Sequence, residues 1–137
     1  MSRRKARCQL YALVVGAGMA FGTIAVVAGV SSSLAGSWSG GGAVTVGGAG
    51  IKETARCKAN YHQVSTSTYR LEAICATPSG RATQTATLRL VTGTTYQGNF
   101  HNPDYNVTGT IKVIVDGDRQ TVFLTSDAGD GQFELRR

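Results

Sequence analysis

Two short stretches, ARCKANY (residues 55–61) and YRLEAIC (residues 69–75), decide the fold of this chain. In both, small or apolar residues occupy every second position, which is the pattern of a β-strand with one buried face. If the two strands pair antiparallel about a turn near Thr66, Cys57 lies opposite Cys75, close enough for a disulfide. The same register opposes two further inward pairs, Ala59 with Ala73 and Tyr61 with Leu71. We therefore predict a disulfide between Cys57 and Cys75, with two buried free thiols as the alternative.

The same alternation continues through the rest of the chain after residue 36. Short runs are separated by turn sequences such as Thr77-Pro78-Ser79-Gly80 and Asp116-Gly117-Asp118. Connections this short leave no room for parallel crossovers, so we predict an all-β antiparallel meander that closes into an eight-stranded barrel and leaves no free edge. The predicted strands cover residues 38–46, 53–61, 69–76, 81–91, 95–100, 107–115, 120–125 and 131–136.

Residues 1–35 have the order of a secretory signal peptide. A basic leader precedes the uncharged run Leu10–Val30, and Ser33-Leu34-Ala35 is a small-x-small site. The uncharged run is longer than the ~7–15 residues of a signal-peptide core and close to the ~20 that span a bilayer as a hydrophobic helix. We predict cleavage after Ala35, with an uncleaved anchor that contacts the membrane through residues 10–30 as the alternative. Residues 36–137 then form one all-β domain.

The charge of the chain divides unequally between these two parts. The net charge is +6, but four of the 14 basic residues lie in the leader, which leaves ten basic and eight acidic side chains in the domain. These alternate in sign along the chain, so we expect no nucleic-acid partner. A cysteine pair suits an oxidising compartment. The predicted location is the periplasm or the exterior, or the inner membrane with the β domain outside the cytoplasm.

The two ends of the predicted domain carry a recognisable pair of motifs: Gly36-Ser37-Trp38 begins the first strand, and Arg136 or Arg137 ends the last. These ends resemble those of calycin barrels. The resemblance implies that the arginine packs across the tryptophan where the first and last strands meet, and a cation over an indole is a suitable contact for this role. We assign the barrel closure to Trp38 and Arg136.

Four further stretches of the domain carry a second resemblance: GSWSGGGAVTV (36–46), KETARCKANY (52–61), ICATPSGRATQTATL (74–88) and YQGNF (96–100). With them the domain resembles a family of small exported, uncharacterised proteins of alphaproteobacteria, and this resemblance implies no activity. Periplasmic inhibitors of metalloproteases and of C-type lysozymes are similar in architecture, as small export-signalled barrels with one disulfide.

One turn carries residue types that could do chemistry. His101, Asn102, Asp104 and Tyr105 form a candidate binding loop around Pro103. Because Asn-Pro-Asp is ordinary turn chemistry, a surface turn is the preferred interpretation. No ligand spacing typical of zinc or of an EF-hand occurs, and neither does a nucleophile or phosphate motif. We predict no catalytic residue, no cofactor and no metal.

The predicted inward face contains many small residues. The preferred interpretation is a narrow barrel in which tyrosines, phenylalanines and leucines fill the space that the small residues leave. The alternative is a cup for an apolar ligand at one end of the barrel. The small inward residues are Ala55, Ala59, Ala73, Ala82, Ala86, Gly98 and Gly109.

These observations predict a non-enzymatic exported protein that binds a small apolar ligand or a protein of the envelope or the exterior. One alternative is a periplasmic inhibitor of a secreted protease or lysozyme, acting through an exposed Gly36–Gly42 segment or the end loops. Another is a membrane-anchored structural protein of the envelope. An enzyme would need His101 and Asp104 in a pocket.

Overall fold

The computed structural model of this chain describes Gly22, residues 34–46 and residues 50–137. Apart from Gly22, the predicted hydrophobic helix over residues 10–30, and with it most of the predicted export segment, lies outside the described residues. A search of the described residues finds no helix with the length and apolar character needed to cross a membrane.

Eight strands follow one another along the described chain, each paired antiparallel with the next. The first strand also pairs with the last, so the sheet closes into a barrel. The predicted eight-stranded antiparallel barrel is therefore confirmed, and every observed strand contains the predicted one. The strands are β1 (Gly36–Val46), β2 (Ile51–Gln63), β3 (Thr68–Thr77), β4 (Gly80–Thr92), β5 (Thr95–Asn102), β6 (Val107–Asp116), β7 (Arg119–Ser126) and β8 (Gly129–Arg136).

The pairing of β2 with β3 follows the predicted register. Cys57 lies opposite Cys75, and the two are joined by a disulfide bond. The predicted pairs of Ala59 with Ala73 and of Tyr61 with Leu71 are also present. Buried and exposed residues alternate along both strands. The period-two pattern and the thiol pair thus agree on one register, and a shift by a single residue would turn the apolar face to solvent.

The two ends of the barrel differ. We call the end where β1 begins the closed end; the turns at residues 64–67, 93–94 and 117–118 lie there. The opposite end, which we call the open end, carries the turns at residues 78–79, 103–106 and 127–128. Toward the closed end large side chains fill the interior, among them Leu34, Trp38, Tyr61, Leu88, Val113 and Val115.

Glycines in β1 allow the barrel to close. Gly40 and Gly42 face inward beside β8, and a Cβ atom on either would lie 2.0 and 1.9 Å from the carbonyl oxygens of Glu134 and Gln132. No side chain fits in that space, so the close approach of β1 to β8 requires glycine. Because Gly36–Gly42 pairs with β2 along its length and with β8 from Ser39 onward, this segment is part of the barrel wall.

Candidate functional site

The open end of the barrel contains a cavity of about 540 Å³, which we call the cup. This volume lies within the ~300–1,000 Å³ that is common for small-molecule sites. Its floor is formed by residues that also line a small void of about 20 Å³ deeper in the barrel: Cys75, Gln84, Leu124 and Phe133. One end of the interior is therefore hollow, although the other is filled.

The open end of the barrel is not filled by side chains, because many of its inward residues are small. Ala55 and Ala82 place only a methyl group into it. Two aromatic rings lie against inward glycines: a Cβ atom on Gly109 would come 2.7 Å from Cε1 of Phe100, and one on Gly131 would come 2.9 Å from Cε2 of Phe133. The preferred prediction of a filled barrel is thus correct for the closed end and wrong for the open end, where the small residues leave the predicted alternative, a cup.

Polar side chains lie near the rim of the cup, at the strand ends. The Ser126 hydroxyl donates to the carbonyl oxygen of Gly129 at 2.9 Å and so belongs to its own turn. The Ser79 hydroxyl donates to Oε1 of Glu53, which leaves Oε2 without a hydrogen-bond partner among the described residues. Glu53 is half-buried between two exposed neighbours in β2. It is therefore the polar group best placed to contact a bound molecule.

An apolar rim surrounds the mouth of the cup. Val46, Ile51 and Tyr105 are each more than half exposed, and all three line the cavity. The Tyr105 ring extends toward the turn between β3 and β4, where its hydroxyl lies 3.8 Å from the position that a Cβ atom on Gly80 would take. Exposed apolar side chains at the entrance of an apolar cavity are typical of an interaction site.

The structure divides the candidate binding loop. Asn102 and Tyr105 line the cup, and the Asn102 side-chain oxygen accepts a hydrogen bond from the Tyr105 backbone N–H at 3.2 Å. His101 points outward, because its neighbours in β5 point inward. Asp104 accepts a hydrogen bond from the backbone N–H of Thr83 at 2.6 Å, so it ties the loop to β4. The enzyme alternative requires His101 and Asp104 in a pocket, and neither of them lines the cup.

Sequence reasoning missed Glu53 and the rim residues Val46 and Ile51. Glu53 shares the inward face of β2 with Ala55 and Cys57, so the alternation itself could have identified it. No sequence pattern identifies Val46 and Ile51 as rim residues, because an apolar residue at a strand end is as typical of core packing as of the mouth of a cavity. In the part of the chain that the structure describes, no group of three or more histidine, cysteine, aspartate or glutamate side chains could hold a metal ion.

Trp38 closes the opposite end of the barrel. Its side chain is 2% exposed, and its indole N–H donates to the carbonyl oxygen of Leu34 at 3.0 Å. The guanidinium carbon of Arg137 lies 4.5 Å from the centre of the indole ring. Arg137 also contacts Asp118, with Nε 3.4 Å from Oδ1. The contacts of Trp38 thus join the first strand, the residues before it and the end of the chain.

The arginine that closes the barrel is Arg137, and the assignment to Arg136 is wrong. Arg136 pairs with Ser39 in β1 and points outward. Continuing this register by one residue puts Arg137 opposite Trp38, on the inward side. The alternation of β8, in which Leu135 is buried and Arg136 exposed, is the physical reason.

Removing the two arginines in turn is expected to have unequal effects. Arg137→Ala should lower the free energy of unfolding by about 1 kcal/mol, because it removes a cation over a buried indole. Arg136→Ala should change it by less than about 0.5 kcal/mol, as is usual for an exposed side chain. Urea denaturation of both variants measures the difference. Equal effects would contradict the closure by Arg137.

Two polar side chains meet inside the barrel near the closed end. The Tyr61 hydroxyl donates to Oε1 of Gln120 at 2.6 Å, across the interior between β2 and β7. Burial raises the pKa of Tyr61 well above its usual value, so the hydroxyl remains a donor. Nε2 of Gln120 is buried and has no hydrogen-bond partner within residues 34–46 and 50–137. This pair lies among the filled part of the interior, apart from the residues that line the cup.

Comparison with known proteins supports the fold. The chain is similar to a redesigned β-barrel, mFAP1, bound to DFHBI, with a TM-score of 0.64 and 20% identity over 76% of this chain and 94% of that one. It is also similar to a de novo designed fluorescence-activating β-barrel, with a TM-score of 0.60 and 13% identity over 78% of this chain and 95% of that one. No protein-family model matches the sequence, and no curated protein is significantly similar to it. At this identity the likeness concerns the fold alone.

Proposed function

We propose that this protein is a non-enzymatic binding protein whose cup takes a small, largely apolar molecule. The observation that carries the proposal is the cup itself, about 540 Å³ in volume and walled mainly by apolar groups. Burial of an apolar ligand against Val44, Phe100 and Phe133 would supply the free energy of binding, at roughly 25 cal/mol per Å². The fold is suited to this use, since similar barrels are described as bound to the small molecule DFHBI.

We further propose that the protein works outside the cytoplasm, as a member of the alphaproteobacterial exported family that it resembles. The leader and the uncharged run of residues 10–30 support export. The disulfide between Cys57 and Cys75 is compatible with an oxidising compartment.

The binding proposal is tested by filling the cup. N-phenyl-1-naphthylamine is neutral, apolar and fluorescent in dry surroundings, and it should bind the full chain with a stoichiometry of one. Ala82→Trp places a large ring in the cavity and is expected to weaken binding at least tenfold. The matched control is Ala76→Trp, because Ala76 lies on the neighbouring strand and faces outward.

The affinity of each variant is measured by fluorescence titration. An unchanged affinity of Ala76→Trp with a weakened Ala82→Trp supports the cup as the site. Saturable binding that both variants retain would place the dye elsewhere. No saturable binding by the unaltered protein would contradict the proposed function.

A further inference from the structure

We propose that the ligand of the cup is an amphiphilic cation: an apolar body with one protonated amine, which Glu53 binds at the rim. This inference rests on the proposed binding function and names the chemical class of the ligand. Three observations carry it: the charges that line the cup, the hydrogen bonding of Glu53, and the apolar residues beneath it.

Among the described residues, the charges that line the cup are all negative. Two carboxylates, those of Glu53 and Asp130, line it, and no described lysine, arginine or histidine does. Asp130 occupies an outward position in β8 and is exposed. Glu53 occupies an inward position in β2 and is half-buried, so it is the carboxylate that a molecule within the cup meets. At the mouth of a cavity with mainly apolar walls, its negative charge favours a cation and disfavours an anion.

The hydrogen bonding of Glu53 orients it for such a contact. The Ser79 hydroxyl holds Oε1, and Oε2 has no partner among the described residues. A half-buried carboxylate with few hydrogen-bond donors around it is stabilised by a positively charged donor. An ammonium group carries three N–H donors and a positive charge. In the described part of the chain, no cationic side chain lines the cup and competes for this oxygen.

The apolar part of the ligand has its place directly below. Ala55 follows Glu53 on the inward face of β2, and Phe100 and Phe133 lie deeper. A molecule with its amine at the rim therefore extends its apolar body toward the floor. A ligand charged at both ends would leave one charge among apolar side chains without a partner, which is unfavourable.

Three matched compounds test the ligand class in the full chain: 2-(1-naphthyl)ethylamine, 2-(1-naphthyl)ethanol and 1-naphthylacetate. They share the ring system and differ in the charge of the head group. Each is used to displace N-phenyl-1-naphthylamine. The amine should displace the dye at a concentration roughly tenfold lower than the alcohol, and the carboxylate should be the weakest.

Two variants test the role of Glu53. Glu53→Gln should remove the preference for the amine over the alcohol, because it removes the charge and keeps the size of the side chain. Glu72→Gln is the matched control, because Glu72 lies on neighbouring β3 and faces outward. It should keep the full preference.

The outcomes separate this inference from the proposed function. Equal displacement by amine and alcohol in the unaltered protein would overturn the ligand class while the cup remains a binding site. The same holds if Glu53→Gln keeps the preference. If the dye itself fails to bind, the proposed function fails.

A different observation carries a second inference: we infer that Leu34 and Ala35 remain attached to the barrel after export. Leu34 is fully buried, at 0% exposed, and its carbonyl oxygen accepts the hydrogen bond of the Trp38 indole. The carbonyl oxygen of Ala35 accepts a hydrogen bond from Nη1 of Arg137 at 3.3 Å. Both residues belong to the closed end of the barrel.

Cleavage after Ala35 would damage this end. It would remove the buried Leu34 side chain and the acceptor of the Trp38 N–H. It would also replace the Ala35 carbonyl with a positively charged amino group on Gly36, close to the guanidinium of Arg137. Ser31-Ser32-Ser33 offers a second set of small residues immediately upstream, and a cut after Ser33 leaves Leu34 in place.

The intact mass of the protein, expressed as the full chain and recovered after export, decides this point. A first residue at Leu34 or earlier supports the inference, whether the chain is cut after Ser33 or retained as an anchor. A mass that begins at Gly36 overturns it. This measurement is independent of ligand binding.

Discussion

The Trp38→Ala variant is expected to lose about 3–5 kcal/mol of unfolding free energy, which is the range for truncating a large buried aromatic side chain. Trp38 is almost fully buried, and its loss opens the interior beside Leu34. It also leaves the carbonyl oxygen of Leu34 without its donor and removes the ring beneath Arg137. Three parts of the chain that meet at the closed end would lose their common contact.

Guanidinium denaturation followed by circular dichroism measures this loss without relying on the tryptophan that is removed. Trp38→Phe is the matched variant, since it keeps most of the buried ring and lacks the N–H donor. We expect it to lose roughly half as much, because the apolar burial is the larger part. A loss below about 1 kcal/mol in Trp38→Ala would contradict the role of this residue at the closed end.

Removal of the disulfide is expected to have the next largest effect. In a Cys8→Ser background, the double replacement Cys57→Ala and Cys75→Ala should lower the unfolding free energy by about 3 kcal/mol. The bond joins residues 18 apart in sequence, and an open loop of this length gains conformational entropy on unfolding. The two alanines fit the inward face between β2 and β3, so the folded barrel should keep its register.

Reduction of the unaltered disulfide provides the control. Dithiothreitol should lower the stability of the Cys8→Ser protein by a similar amount and leave the double variant unchanged. Because Cys75 also lies in the floor of the cup, the dye affinity of the double variant shows whether the bond shapes the cavity. If dithiothreitol also destabilised the double variant, the loss of unfolding free energy could not be assigned to the bond between Cys57 and Cys75.

The errors of the sequence analysis have physical causes. The alternation of β8, with Phe133 and Leu135 inward, already excluded Arg136 as the closing residue and favoured Arg137. For Leu34 no such signal existed, since its position beside a small-x-small site suits a leader, and only the contact with Trp38 places it in the barrel.

The choice between a filled barrel and a cup could not be made from the sequence for a different reason. Inward alanines and glycines are compatible with a filled barrel or a hollow one, and the outcome depends on where the large rings lie. Phe100 and Phe133 lie along the wall against Gly109 and Gly131, so their volume does not fill the open end. Phe100 contacts Gly109 on the neighbouring strand β6, and Phe133 contacts Gly131 within β8, so both rings are held along the wall of the barrel.

By itself, the sequence determined the strands, the antiparallel order and the register of β2 against β3, because alternation and turn chemistry act between residues close along the chain. The pairing of Cys57 with Cys75 was predictable for the same reason, because both residues lie in one hairpin. Only the tertiary structure decided which end is filled, that Glu53 faces a cavity, and that Leu34 belongs to the barrel. Those properties depend on how side chains from distant strands share a closed interior, and no local pattern records that.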